Sequence, residues 1–348
     1  MRYTFSLLIV LLATGCSKEQ PAAGKLVTAT VTAQAETTPV GTADDAADDP
    51  AIWRHPTDAA KSLIIGTDKR AGIHVYNMAG KAIGFTASPR LNNVDLRSNV
   101  TVNGEVAVLV AASDRRDEAN AAIALFTLDT TAQKLISLAN LPVGKGEAYG
   151  MCLWQRKADG QLYAFLVLKD GRIDQVELDV SGTTATGKVV RSMKLKTQSE
   201  GCVVDDRTGL LYVTEEDVGL WRFDAEPSAS VNATELGRAD GKQLVADTEG
   251  IAIMPVGADT GYLIISSQGD NAYAVYDLKT GHYRSRFRIG DAAIDGVQET
   301  DGLELAIGDF GAKYRGGLFV TQDGDNSPET QNFKFTAWAD VMKVLKLD

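Results

Sequence analysis

Ser199-Glu200-Gly201-Cys202-Val203-Val204 and Thr248-Glu249-Gly250-Ile251-Ala252-Ile253 repeat one pattern, an acid that leads at once into an apolar strand. Working outward, the element returns as Asp48-Asp49-Pro50-Ala51-Ile52-Trp53, Asn93-Val94-Asp95-Leu96, Glu147-Ala148-Tyr149-Gly150-Met151 and Thr300-Asp301-Gly302-Leu303-Glu304-Leu305. The six copies lie roughly 50 residues apart, a propeller-like period. A strand, a polar turn and a further strand follow each copy. Examples are Leu63-Ile64-Ile65-Gly66 before Thr67-Asp68-Lys69-Arg70, and Leu211-Tyr212-Val213 before Thr214-Glu215-Glu216-Asp217. Aromatic and β-branched runs bounded by Gly, Asp and Asn read as strands and turns. The expected fold is all-β: a six-bladed β-propeller around a central channel, with a sandwich or a stack of small β domains as the competing architecture.

Antiparallel strands place the start of each inner strand and the turn between the second and third strands on one face. Six acidic starts and six polar turns therefore converge at the channel mouth. The turns of the first three units carry Lys69, Arg70, Arg115, Arg116 and Lys169, and those of the last three carry Glu215, Glu216, Asp270, Asp323 and Asp325. An acidic ring of Asp48, Asp49, Asp95, Glu200, Glu249 and Asp301 is expected inside them. Crowded carboxylates need neutralising cations, and hard oxygen donors in such numbers suit Ca²⁺. Lys and Arg beside such ions are what a phosphate ester requires.

Other phosphatase chemistries fit poorly. The chain has 3 histidines and no Arg-His-Gly run, and neither Cys152 nor Cys202 stands in a phosphate-binding cysteine loop. Gly269-Asp270-Asn271 matches a fragment of the dinuclear metallophosphatase pattern without its histidine partners. A net charge of −11 argues against nucleic acid as partner. The chain opens with Arg2, an apolar run from Phe5 to Ala13, and Ala13-Thr14-Gly15-Cys16. This reads as a signal peptide over residues 1–16 with a lipobox-like end and Cys16 as lipidation site. Residues 17–42 read as a flexible tether whose end can join the fold, and 43–348 as the propeller domain. The expected location is outside the bacterial cytoplasm, as a periplasmic or outer-membrane lipoprotein or a secreted protein. Cys152 and Cys202 fit a disulfide or two buried thiols equally.

Asp44-Asp45-Ala46-Ala47-Asp48-Asp49-Pro50-Ala51-Ile52-Trp53, Leu91-Asn92-Asn93-Val94-Asp95, Ser199-Glu200-Gly201, Glu215-Glu216-Asp217, Ser267-Gln268-Gly269 and Gln322-Asp323-Gly324-Asp325-Asn326 resemble the β-propeller phytase family. The resemblance runs from about Ala35 almost to the C-terminus. It implies calcium-dependent release of phosphate from myo-inositol hexakisphosphate (phytate), taken as its calcium complex by a monomer with two phosphate subsites. By matching positions it implies Lys69, Arg70, Arg115, Tyr149 and Lys169 as phosphate-binding residues. Asp48, Glu200, Glu216, Asp247, Glu249 and Asp301 are implied as ligands of active-site calcium. Asp49, Asn93, Asp295, Asp323 and Asn326 are implied as structural calcium ligands. Family members commonly carry Lys where this chain has Arg70, which keeps the charge and favours forked phosphate contact. The alternative functions are a non-catalytic, calcium-stabilised binding propeller and a propeller lactonase or esterase. The latter has no need of two cationic clusters.

Overall fold

In the computed structural model, residues 26–347 are described; the expected signal peptide, 1–16, and Cys16 lie outside them. Six sheets surround a channel. Their inner strands are Ala47–Trp53, Leu91–Val102, Ala148–Gln155, Ser199–Asp205, Thr248–Val256 and Leu303–Ala306, defining blades one to six. Each blade runs outward through antiparallel neighbours.

Middle strands are apolar without alternation because both of their faces are covered by adjacent blades. Leu162–Leu168, with the sequence LYAFLVL, is buried at every position. The outer strand Thr186–Lys194 is mostly exposed and carries Lys188 and Lys194. Such facing surfaces make the hydrophobic burial continuous around the ring.

Closure uses the segment read as tether. Ala35–Glu36 pairs with Asn332–Ala337 and becomes the outer strand of blade six. Ala29–Val31 runs parallel to Tyr283–Ile289 and adds a fifth strand to blade five. The chain ends in a short helix, Trp338–Leu345, with the Trp338 indole against Phe319 and Phe287.

The glycines after the acids have a geometric cause. A Cβ on Gly150 would stand 1.7 Å from the Glu200 carbonyl oxygen. A Cβ on Gly201 would lie 2.4 Å from the Glu249 carbonyl oxygen, and one on Gly250 2.6 Å from that of Asp301. The inner strands of blades three to six thus touch the backbone of the next blade's acidic residue, an approach only glycine allows. Gly250 N–H donates to the Asp301 carbonyl at 2.8 Å, and Gly302 N–H to that of Asp48 at 3.1 Å, which carries the chain of contacts across the ring closure.

Candidate active site

Side-chain alternation decides which charges reach the mouth. The residue just past each second strand points inward: Lys69, Arg115, Lys169, Glu216 and Gln268. The residue before it points into the blade. Glu215 accepts from Lys196 N–H at 2.9 Å and Thr197 N–H at 2.7 Å. Asp114 holds Arg116 and Asn140 rather than Arg115. Asp270 pairs with Arg286, and Asp323 lies 3.3 Å from Lys334. Asp325 is exposed and accepts from Ser327 Oγ at 2.7 Å, so the expected anionic turns of blades four to six reduce to Glu216.

Asp95 is also displaced from the expected ring. Irregular pairing between Leu91 and Val94 brings Asn92 and Asn93 to the mouth and puts Asp95 deeper, opposite Ala111. There it binds Arg97 at 2.9 Å and accepts from Leu153 N–H at 2.8 Å. Arg97 also reaches Asp206, and burial with the charge of Asp95 pushes Glu304 up to about 8. Asp49 turns away from the mouth and accepts from Val94 N–H at 2.9 Å.

The mouth itself holds a cavity of about 580 Å³ lined by Lys69, Tyr149, Glu216, Asp247, Glu249 and Asp301, among others. Carboxylate oxygens of Glu200, Glu216 and Glu249 all lie within 4.8 Å of one another. Burial, then mutual repulsion and the charges of Asp48 and Asp301, hold Glu200 and Glu249 well above the usual carboxylate range. Burial also pushes Glu216 and Asp301 to about 7. Among the described residues, Glu216 Oε1 and Glu249 Oε2 are buried acceptors without a hydrogen-bond partner. An oxygen-rich, proton-holding cluster with orphaned acceptors fits a hard divalent cation.

Cations face this cluster. Lys69 Nζ lies 2.7 Å from Asp45, 3.0 Å from Asp48 and 3.0 Å from Asp301, and these charges raise its pKa. Arg115 lies over the Tyr149 ring, 5.5 Å from its centroid, and so does Lys169, at 5.2 Å. Burial and the charges of Glu200, Glu249 and Glu216 raise the Tyr149 phenol, so it stays protonated. Arg70 stands at the rim, donating to the Asp45 carbonyl at 2.9 Å.

Several mouth residues carry no charge. Asn92 donates to Asp48 at 3.2 Å and to Glu200 at 2.7 Å, and Gln268 donates to Asp301 at 2.7 Å. Neither was singled out by charge, although both lie beside acidic motifs. With its nitrogen facing them, the Asn93 amide is 2.9 Å from Glu200 and 3.1 Å from the Tyr149 carbonyl.

The phytase family model matches residues 2–348. The chain belongs to the phytase family. Among members of this family, a 3-phytase of Bacillus subtilis (strain 168) is 40% identical over 326 residues, covering 90% of this chain and 85% of that relative.

In this phytase chain a second oxygen cluster lies outside the mouth, at the ring closure. Asp295, Asp323 and Asn326 gather with Glu36 around the buried Lys334 ammonium, at 2.5, 3.3, 2.9 and 2.6 Å. One ammonium faces three carboxylates, an excess of negative charge that also fits a cation. Cys152 and Cys202 are joined in a disulfide that links the inner strands of blades three and four, with 5.7 Å between their Cα atoms.

Proposed function

We propose that this member of the phytase family hydrolyses phosphate monoesters of phytate, giving lower inositol phosphates and inorganic phosphate, and that it requires calcium. The carrying observation is the cluster of Glu200, Glu216 and Glu249 oxygens within 4.8 Å, beside a cavity lined by Lys69 and Tyr149, with Arg115 and Lys169 over the Tyr149 ring. The 3-phytase name of the Bacillus subtilis relative supports the substrate and reaction.

Glu200, Glu216 and Glu249, with Asp48, Asp247 and Asp301, would hold the active-site calcium ions. When bound, calcium supplies positive charge for the phosphoryl oxygens and lowers the pKa of water to be used as nucleophile. Lys69, Arg115 and Lys169 grip the phosphoryl oxygens and oppose the charge that develops on them during transfer. Tyr149 packs its ring under Arg115 and Lys169 and offers a protonated hydroxyl to the substrate. Arg70 holds a neighbouring phosphate. Asp49 and Asn93, and separately Asp295, Asp323 and Asn326, serve as structural calcium ligands.

The disulfide supports export to an oxidising compartment. We infer that residues 1–16 direct this export and that Cys16 carries lipid; Cys16→Ser should shift the protein from membranes to the soluble fraction. The direct test of the activity is phosphate release from phytate by the purified chain and by Glu200→Gln. A folded Glu200→Gln variant with wild-type kcat would move the site elsewhere. Calcium-dependent stabilisation without phosphate release would favour the non-catalytic binding propeller.

A further inference from the structure

Arg90 belongs to none of the expected site residues, yet it joins two of them. It occupies the turn before the inner strand of blade two, with φ of 69°. Its N–H donates to the Lys69 carbonyl at 3.0 Å, and its carbonyl accepts from Arg115 N–H at 3.0 Å. One residue thus ties together the turns that carry two phosphate-binding cations. A left-handed backbone is uncommon for a long side chain, and its cost is met here by these two bonds.

The Arg90 side chain lines a hollow of about 280 Å³ with Asp45, Lys69, Arg70 and Arg115. This hollow shares Asp45 and Lys69 with the larger cavity. Four cations against one carboxylate make it an anion site. Their charges are not equally free. Lys69 is already held by three carboxylates, and Arg115 is 12% exposed beside Glu147. Arg70 and Arg90 are the accessible guanidiniums, with side chains 48% and 42% exposed. The Arg90 guanidinium rests on Glu118, whose side chain is 64% exposed. An exposed ion pair of this kind is a weak restraint, easily exchanged for a doubly charged phosphate.

We propose that Arg90 is a specificity-determining residue that leaves Glu118 to bind a second phosphate group of the substrate in the hollow between Arg70 and Arg115. This rests on the reading of the site as one for a polyphosphorylated ester. The hollow adjoins the cleavage cavity, so only a substrate with a neighbouring phosphate can use both. Glu118 competes for the guanidinium and tunes the affinity downward.

The experiment is steady-state kinetics on phytate for wild type, Arg90→Ala, Arg90→Gly, Arg90→Lys and Glu118→Gln, each checked by thermal melt. Ala and Gly both keep the backbone bonds, and Gly also suits the left-handed φ. Loss of the guanidinium should raise KM by about tenfold in both, with kcat near wild type. Arg90→Lys should recover most of that loss, and Glu118→Gln should lower KM. An unchanged KM in Arg90→Ala and Arg90→Gly would overturn the proposal. So would a fall in kcat matching the rise in KM, or no recovery with Lys, since either marks a structural role for the turn. A wild-type chain that releases no phosphate from phytate would refute the proposed function instead.

Discussion

Lys69 Nζ lies 3.0 Å from Asp301 Oδ2, although 232 residues separate them and they belong to the first and last blades. The charge network at the channel mouth therefore spans the closure of the ring. Removing the ammonium would leave Asp48 and Asp301 facing each other unpaired and take one grip from the phosphoryl group. Lys69→Ala and Arg115→Ala should each lower kcat by ~100-fold or more. Arg70→Ala should chiefly raise KM, because its phosphate is held alike before and during reaction. Kinetics on folded variants check both, and a kcat loss confined to Arg70→Ala would reverse the subsite assignment.

Gly150→Ala tests the glycine contacts. The added methyl group meets the Glu200 carbonyl at 1.7 Å, and the strand bearing Glu200 must shift. A displacement of about 1 Å at a catalytic centre should cost ~100-fold in kcat. Gly182→Ala, with nothing within 4 Å of its Cβ among the described residues, is the control and should behave as wild type. Equal activity of the two variants would show that Glu200 tolerates movement.

The Cys152–Cys202 bridge closes a loop with a sequence separation of 50 residues. The chain-entropy argument gives it about 4 kcal/mol of stabilisation. Reductant, or the Cys152→Ser/Cys202→Ser pair, should lower Tm by about 5 °C or more, read by calorimetry. A melt unchanged by reductant would contradict this.

The mouth carboxyls set a pH dependence in chelator. Asp301 and Glu216 are raised from 3.8 and 4.5 to about 7, chiefly by burial. The folded state then holds more protons than the unfolded state between about pH 4.5 and about pH 7, so stability falls as pH rises through that window. Tm in chelator should be lower at about pH 8 than at about pH 5, and calcium should remove most of the difference. Asp301→Asn combined with Glu216→Gln should flatten the curve, and a Tm that rises with pH in chelator would refute the argument.

The propeller was legible because each blade repeats an acid, an apolar strand and a polar turn. The site was legible in residue type but less so in direction. Glu215 and Glu216 are adjacent acids with opposite fates, set by where the alternation of the strand Leu210–Glu215 ends, which residue type alone does not mark. The irregular pairing falls on Asn92 and Asn93 in blade two as it falls on Asp48 and Asp49 in blade one, so Asn92 takes the mouth position and Asp95 lies further along the strand. Asn92 and Gln268 were missed because the reading followed charge, while the site uses amides to fix its carboxylates. The closing strand Ala35–Glu36 is two residues long, too short for any periodic signal.

The central claim is that calcium held by the Glu200, Glu216 and Glu249 cluster makes phosphate transfer from phytate possible. Phosphate release should be measured with the purified chain in calcium, then in excess chelator, then with calcium restored. The account predicts activity in the first, near-complete loss in the second and recovery in the third. Undiminished release of phosphate in chelator would contradict it.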